Sequence, residues 1–198
     1  MALTPQLRML RPTLAGLPRL ELPDGYALRS SQPGDAAHWE RIVATAFGAE
    51  PGRYDFERIL RNHPSYRPER ILFVTDASGR PVATASAWQM PGILADAGTV
   101  HYVAVAPEAQ GRHLGTWVTL AALHHMVTEG FTRATLTTDD FRLAAVRTYL
   151  RLGFEPVLVH ENQRERWRHV LSELDLPEAA QRFAATLDGP LWPTEGAG

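Results

Sequence analysis

Gly111 and Gly115 bracket Arg112, His113 and Leu114 in the run YVAVAPEAQGRHLGTW, where an apolar stretch ends at Pro107 and a helix-forming stretch begins at Leu114. The first turn of a helix carries backbone N–H groups without helical acceptors and about half a positive charge. Glycines there let a ligand approach the main chain, and an arginine adds a cation. The spacing supports an anion site over residues 111–116, suited to phosphate. The alternative is a tight, closely packed turn that binds nothing. Two other phosphate motifs are excluded. GxxxxGK[ST] needs a lysine, and all 20 basic side chains are arginine. GxGxxG needs a glycine rhythm that Gly111 and Gly115 do not supply. The titratable candidates nearby are His101 and Tyr102 on the preceding strand and Asp139 and Asp140 after the next one. His101 is the best matched to proton transfer near neutral pH, although a strand histidine commonly serves structure. Asp140 reads as a helix cap. His124 and His125 are adjacent and so point apart on a helix, and no metal site is expected.

Elements must hold these residues in place. Tyr26–Arg29 reads as a short strand. Asp35 reads as the N-cap of a helix whose inner face is Trp39, Ile42, Val43, Ala46 and Phe47. Tyr54–Arg61 is a second short helix. Ile71–Thr75 and Val82–Trp88 form a hairpin around the turn at Asp76–Gly79. Thr99–Val105 leads into the glycine segment, Leu114–Glu129 is the helix after it, and Ala134–Thr138 is the next strand. A helix over Asp140–Leu152 stops at Gly153, Phe154–Val159 is the last strand, and Arg164–Leu174 and Glu178–Leu187 are helical additions. This order predicts an α/β (α+β) chain: a mixed central sheet with antiparallel N-terminal strands, a parallel strand–helix–strand unit, and helices on both faces. The expected division is a tail or arm over 1–21, one domain over 22–160, a C-terminal helical extension over 161–187, and a tail over 188–198.

A chain of 198 residues suits a single core. A net charge of -2 implies no broad basic field, so nucleic acid is not an expected partner. The absence of cysteine excludes disulfides, thiolate metal sites and a cysteine nucleophile, and it fits a cytoplasmic location. The start of the chain, broken by Pro5, Pro12 and Pro18, does not read as a signal peptide, and no segment is long and apolar enough to span a bilayer, so no membrane partner is expected.

VAVAPEAQGRHLG followed by a helix resembles the acyl-CoA motif of the GNAT superfamily of N-acetyltransferases: Arg or Gln, two residues, Gly, one residue, then Gly or Ala. Here that span is Gln110, Gly111, Arg112, His113, Leu114 and Gly115. DDFRLAAVRTYLRLGF resembles the later helix of the family, with three residues between Tyr149 and Gly153-Phe154, and LRSSQPGDAAHW resembles its first strand and helix. The resemblance covers Tyr26 to His160. It implies acetyl-CoA as co-substrate and no metal. The pyrophosphate would lie on Gln110 and the amides of Gly111 to Thr116, and the pantetheine arm beside Val103, Ala104 and Val105. That strand must then part from its neighbour to leave its backbone free. The resemblance further implies direct acetyl transfer to a primary amine, an N–H near Val105 as oxyanion donor, and Tyr149 as general acid at the leaving sulfur.

Two residues depart from the pattern. His113 stands where glycine is usual, and a left-handed conformation there would cost about 1 kcal/mol. Arg142 stands where many members have Asn, and it would either reach the phosphates or lie on the helix surface. Some members place a Glu base where this chain has Thr137, which leaves His101 or water for that role. The acceptor is expected between residues 47–66 and 88–98, with Trp88, Tyr54 and Tyr66 as lining candidates and Arg67 and Arg70 favouring an acidic acceptor. A homodimer stays open. The rival readings are a noncatalytic acyl-CoA-binding sensor, or an interaction protein that docks through the helix ENQRERWRHVLSEL and its stripe of Trp167, Val170, Leu171 and Leu174.

Overall fold

The computed structural model describes residues 5–50, 52–90 and 94–192. Its strands are β1 (Leu7–Arg11), β2 (Ala27–Ser30), β3 (Ile71–Thr75), β4 (Pro81–Trp88), β5 (Ala97–Val105), β6 (Arg133–Thr138) and β7 (Glu155–Val157). The helices are α1 (Ala36–Ala46), α2 (Leu114–Thr128), α3 (Leu143–Arg151), α4 (Gln163–Glu173) and α5 (Pro177–Asp188), with a short helical turn at Glu57–Arg61. One seven-stranded sheet runs in the order β2-β3-β4-β5-β6-β1-β7. β2 to β5 pair antiparallel in sequence, β5 and β6 pair parallel, and β1 is antiparallel to both β6 and β7. This is the expected mixed sheet.

Burial explains the composition of the central elements. β3, ILFVT, and β4, PVATASAW, are buried along their whole length because helices cover both faces. Alternate β3 residues serve different cores: Ile71 and Phe73 meet Trp39, Ile42 and Val43 of α1, while Leu72 and Val74 join the cluster that contains α2. α2 is apolar on all sides because the sheet covers one side and the segment after β1 packs into the same cluster through Leu14, Leu17, Leu20 and Leu22. His124 Nε2 lies 2.8 Å from the Pro18 carbonyl in that contact. Close approach of α2 to β5 requires Gly98, where a Cβ would stand 2.6 Å from Met126 Sδ.

The chain ends depart from expectation. Residues 14–22 do lie along the body as an arm, but Leu7–Arg11 is an interior strand with Leu7 and Met9 fully buried. A five-residue run with two arginines, LRMLR, reads as part of a tail, and the partners that make it a strand lie more than 120 residues on, in β6 and β7. The C-terminal helices are likewise part of the domain. Trp167, Val170, Leu171 and Leu174 are buried in the same cluster as α2, so this stripe is not a docking face. The Trp192 N–H donates to the Leu158 carbonyl at 2.6 Å; residues 193–198 of the expected tail lie outside the described residues.

Asp35 does stand at the N-cap position of α1, but its carboxylate, like that of Asp140, serves an ion pair. The Asp35 carboxylate accepts from Arg29 at 2.5 and 2.9 Å and from the Gln32 N–H at 2.7 Å, and makes no cap bond to α1. Burial works against its charge, but these donors more than offset that and hold its pKa below the usual value. Asp140 pairs with Arg166 of α4 at 2.5 and 2.8 Å, and α3 starts later than expected, at Leu143.

Candidate active site

β5 and β6 are partners only at Ala97–Arg133, Gly98–Ala134 and Thr99–Thr135. The last pair is tied by the two threonine hydroxyls, 3.1 Å apart. Beyond it β6 remains paired with β1, whereas β5 runs on to Val105 against β4 alone. The edge of β5 that faces β6 is therefore unpaired from Val100 to Val105. A bulge marks the start of this stretch: His101 opposes Ser86 and Ala104 opposes Thr84, so Tyr102 and Val103 share one partner position. Tyr102 has φ 49°, a left-handed conformation that costs about 1–2 kcal/mol in a non-glycine residue and re-aims the strand. Rings hold it there, with Trp39 at 5.0 Å and Tyr54 at 6.0 Å between centroids.

At the end of β5 the chain turns into α2 through Gly111 at φ 76° and His113 at φ 57°. The N–H groups of Gly111, Arg112, His113, Leu114 and Gly115 have no acceptor among the described residues. Gln110 donates to the Pro107 carbonyl at 3.3 Å, and Thr116 donates to the His113 carbonyl at 2.9 Å, which bounds the free run on both sides. These amides border a cavity of about 500 Å³ whose opposite wall is Ala144, Arg147, Thr148 and Arg151 of α3. Free N–H groups at a helix start suit an anion, and the opposite wall carries Arg151 and Arg147, whose Nη2 donates to the Leu174 carbonyl at 2.6 Å.

The cavity continues along β5. A segment of about 240 Å³ lies between Val103–Val105 and the Ala144, Ala145, Thr148 and Tyr149 side of α3. A further segment of about 370 Å³ is bounded by Val100–Val103, Phe47, Tyr54, Thr137 and Asp139. Gly115 and Thr148 line both the first and second segments, and Phe47, Val103, Arg142 and Tyr149 line both the second and third. The three form one groove from the α2 N-terminus to the gap between β5 and β6.

Tyr149 sits where the second and third segments meet. Burial pushes its hydroxyl pKa up to about 12, against the opposing field of Arg142, so it stays protonated at neutral pH. No partner for that hydroxyl is found among the described residues. His101 lines the third segment between the rings of Trp88 and Tyr102, with Nδ1 enclosed and unpartnered. Burial, reinforced by His63, lowers its pKa to about 4, so its ring is neutral. Arg142 Nε donates to Asp139 Oδ2 at 3.0 Å, and its guanidinium lies 4.2 Å from the Phe47 ring centroid. Asp139 Oδ1 accepts from Gln6 Nε2 at 2.9 Å, and Gln6 Oε1 accepts from the Thr137 hydroxyl at 3.0 Å.

The sequence model of the acetyltransferase (GNAT) family matches residues 36–154, more than half of the chain, from α1 through the Gly-Phe pair after α3. The chain belongs to the GNAT family. It is similar to the mycothiol acetyltransferase of Thermobispora bispora, 36% identical over 155 residues that make up 74% of this chain and 52% of the relative. It is also similar to the mycothiol acetyltransferase of Kytococcus sedentarius, 34% identical over 167 residues, 78% of this chain and 55% of the relative. The chain thus spans about half the length of the curated relatives it matches. Among solved structures, a GCN5-related N-acetyltransferase from Sphaerobacter thermophilus shares the fold with a TM-score of 0.63, at 24% identity over 77% of this chain and 49% of that one. The ribosomal-protein-S18-alanine N-acetyltransferase of Escherichia coli does so with a TM-score of 0.51, at 22% identity over 65% of this chain and 76% of that one.

In this GNAT chain the groove brings together Gln110, Gly111, His113, Leu114, Gly115, Val103, Ala104, Val105, Tyr149 and His101. Three details differ. The Arg112 guanidinium donates to the Tyr26 hydroxyl and lies 5.9 Å from its ring centroid, away from the free amides. Arg142 is neither at the phosphate end nor on an open helix surface; it bridges Asp139 and Phe47 across the middle of the groove. Thr116 has its amide engaged in the helical turn.

On the acceptor side Tyr54 lines the groove, but Trp88 is core at 2% exposure and Tyr66 packs on Phe56 at 6.1 Å. Arg67 donates to the Tyr66 carbonyl at 2.7 Å and Arg70 to Glu129 at 2.8 Å, and neither lines the groove. Residues 91–93 of the expected acceptor frame lie outside the described residues. Arg147, Arg151, Arg53 and Gln6 went unread. The two α3 arginines had a signal: Ala144, Arg147, Thr148 and Arg151 follow the i, i+3, i+4, i+7 spacing of one helix face. Gln6 had none, since its segment read as a tail.

Proposed function

We propose that this GNAT protein transfers an acetyl group from acetyl-CoA to a primary amine by direct attack on the thioester. The observation that carries this reading is the pairing of an unpartnered β5 edge with a run of free N–H groups at its end. A diphosphate suits Gly111–Gly115 with Arg147 and Arg151 opposite. A pantetheine arm has two amides of its own, which suit the free N–H and C=O groups of β5. The thioester then falls at the junction beside Tyr149, and the third segment of the groove receives the amine. A cytoplasmic setting is part of the same proposal.

The chemistry asks little of side chains. The amine nitrogen forms a bond to the acetyl carbon while a free β5 N–H stabilises the charge on the carbonyl oxygen. As the C–S bond breaks, the Tyr149 hydroxyl donates towards sulfur, and the proton released from nitrogen restores the balance, leaving an N-acetyl amine and free CoA thiol. A pKa of about 12 keeps the Tyr149 proton available at every working pH. His101, neutral and weakly basic, orients the incoming amine or a water by hydrogen bonding, and the amine deprotonates to solvent through the open groove. The name shared by the curated relatives supports acetyl transfer; because only half of each is spanned, their acceptor is not carried over.

The test is a thermal-shift titration with acetyl-CoA, followed by detection of free thiol over an amine panel. At 100 times Kd, binding should stabilise the protein by about 2.7 kcal/mol. No shift would remove the reading at its root; a shift without thiol release would leave a binder without catalysis.

A further inference from the structure

The third segment of the groove is lined by three charged side chains: Arg53, Asp139 and Arg142. Two of them neutralise each other, since Arg142 Nε meets Asp139 Oδ2 at 3.0 Å, and the second Asp139 oxygen is taken by Gln6 at 2.9 Å. Arg53, on the opposite wall, has no acidic partner within ion-pair distance among the described residues. The nearest acid in sequence on its C-terminal side, Asp55, is turned to the Arg58 N–H at 2.7 Å. Arg58, which does not itself line the segment, donates from Nη2 to the Arg53 carbonyl at 3.4 Å and so sets a second cation near that wall. Burial and the Tyr54 phenol raise the pKa of the Tyr102 hydroxyl, while the fields of Arg58 and Arg53 oppose that rise, so both cations are felt inside the groove. The rest of the polar lining, which includes Gln6, His101, Thr137, Thr138 and Tyr149, carries no charge.

We infer that the acceptor is a small primary amine that also carries an anionic group, carboxylate or phosphate, held by Arg53 while its nitrogen faces the Tyr149 end of the groove. This rests on the acetyl-transfer reading. A segment of about 370 Å³ is the size of a small-molecule subsite. Arg53 is exposed at the edge of the groove, with no acidic partner among the described residues, so it is available to a ligand anion, whereas a polyamine would set like charges against Arg53 and Arg58. The Arg67 and Arg70 pair, the sequence's own hint of an acidic acceptor, is occupied elsewhere; the charge that faces the groove is Arg53.

The experiment measures thiol release from acetyl-CoA with matched acceptors: glycine against glycinamide, phosphoethanolamine against ethanolamine, and spermidine as polycation. The less basic amine of glycinamide biases the first pair against the inference. The anionic member of at least one pair should exceed its neutral partner in kcat/KM by about ten-fold or more, and Arg53→Gln should cut that ratio by about ten-fold. Arg53→Glu should move preference towards spermidine. Arg67→Gln, outside the groove, should leave the ratio as it is. The two pairs also show which anion is held. Equal rates within both pairs, a wild-type preference for spermidine, or a ratio that Arg53→Gln does not move would each overturn the inference, as would failure of both anionic amines to react. The acetyl-CoA thermal shift on the same sample separates the two levels: if it is kept, only the acceptor class falls; if it is absent, the acetyl-transfer reading falls too.

Discussion

At the Val105 end of β5, the groove is bordered by the run of main-chain N–H groups from Gly111 to Gly115; at the Val100 end, the facing groups are the side chains of Gln6, Arg53, Asp139 and Arg142, drawn from distant parts of the chain. The first site depends on backbone conformation, which is why it tolerates His113 at a left-handed position and Arg112 turned away towards Tyr26. The second depends on which side chains the register happens to bring together. A backbone site can persist through many substitutions, whereas a side-chain site is remade by one. That difference suits a shared co-substrate at one end and a particular acceptor at the other.

The largest effect should come where the two ends meet. Tyr149→Phe should lower kcat by about 10²–10³-fold, because on the proposed mechanism it removes the proton donated to sulfur, while acetyl-CoA affinity changes by no more than about two-fold. A parallel loss of affinity would mean that the two ends cannot be separated.

A second test probes the acceptor end through protonation, to which main-chain amides are blind. The His101 pKa falls from 6.5 in the unfolded chain to about 4 in the folded one. Above pH 6.5 both states are neutral and stability is complete. Between pH 6.5 and 4 the unfolded state gains a proton that the folded state refuses, so wild type should lose about 3 kcal/mol more than His101→Gln on acidification. Urea denaturation at pH 7, 5.5 and 4 reads this directly, and parallel curves for the two proteins would contradict the burial of that ring.

Next in size is the cradle itself. Gly111→Asp and Gly115→Glu, which set a carboxylate against the phosphates, should abolish the stabilisation of about 2.7 kcal/mol expected at 100 times Kd, whereas Arg112→Ala should retain most of it. If Arg112→Ala removed the shift and the glycine variants did not, the site would be built from side chains after all, and the contrast between the two ends would be lost. The smallest effect belongs to Gln6→Ala. Loss of its bonds to Asp139 and Thr137 should reduce kcat/KM for the amine by about five-fold, near 1 kcal/mol, with acetyl-CoA affinity unchanged.

Legibility in the sequence followed the same division. The turn from β5 into α2 could be read from Gln110 to Gly115 because a helix start and its glycines are local, and Tyr149 could be placed from its spacing to Gly153-Phe154. The meander and the parallel unit were readable from apolar runs and turn residues. β1 was not, because LRMLR becomes a strand only through Ala134–Thr138 and Glu155–Val157. Asp35 and Asp140 have the residue type of caps, yet their carboxylates are claimed by Arg29, six residues back, and by Arg166 of α4.

By itself the sequence determined the order of elements, the helix start with its glycines, and the family, since each is specified by neighbours a few residues apart. Only the tertiary structure decided that β5 leaves β6 after Thr99, that Arg142 pairs with Asp139, and that Arg53 lines the groove. Those outcomes are set by strand register and by competition among charges brought together from far along the chain, and no local pattern encodes who wins that competition.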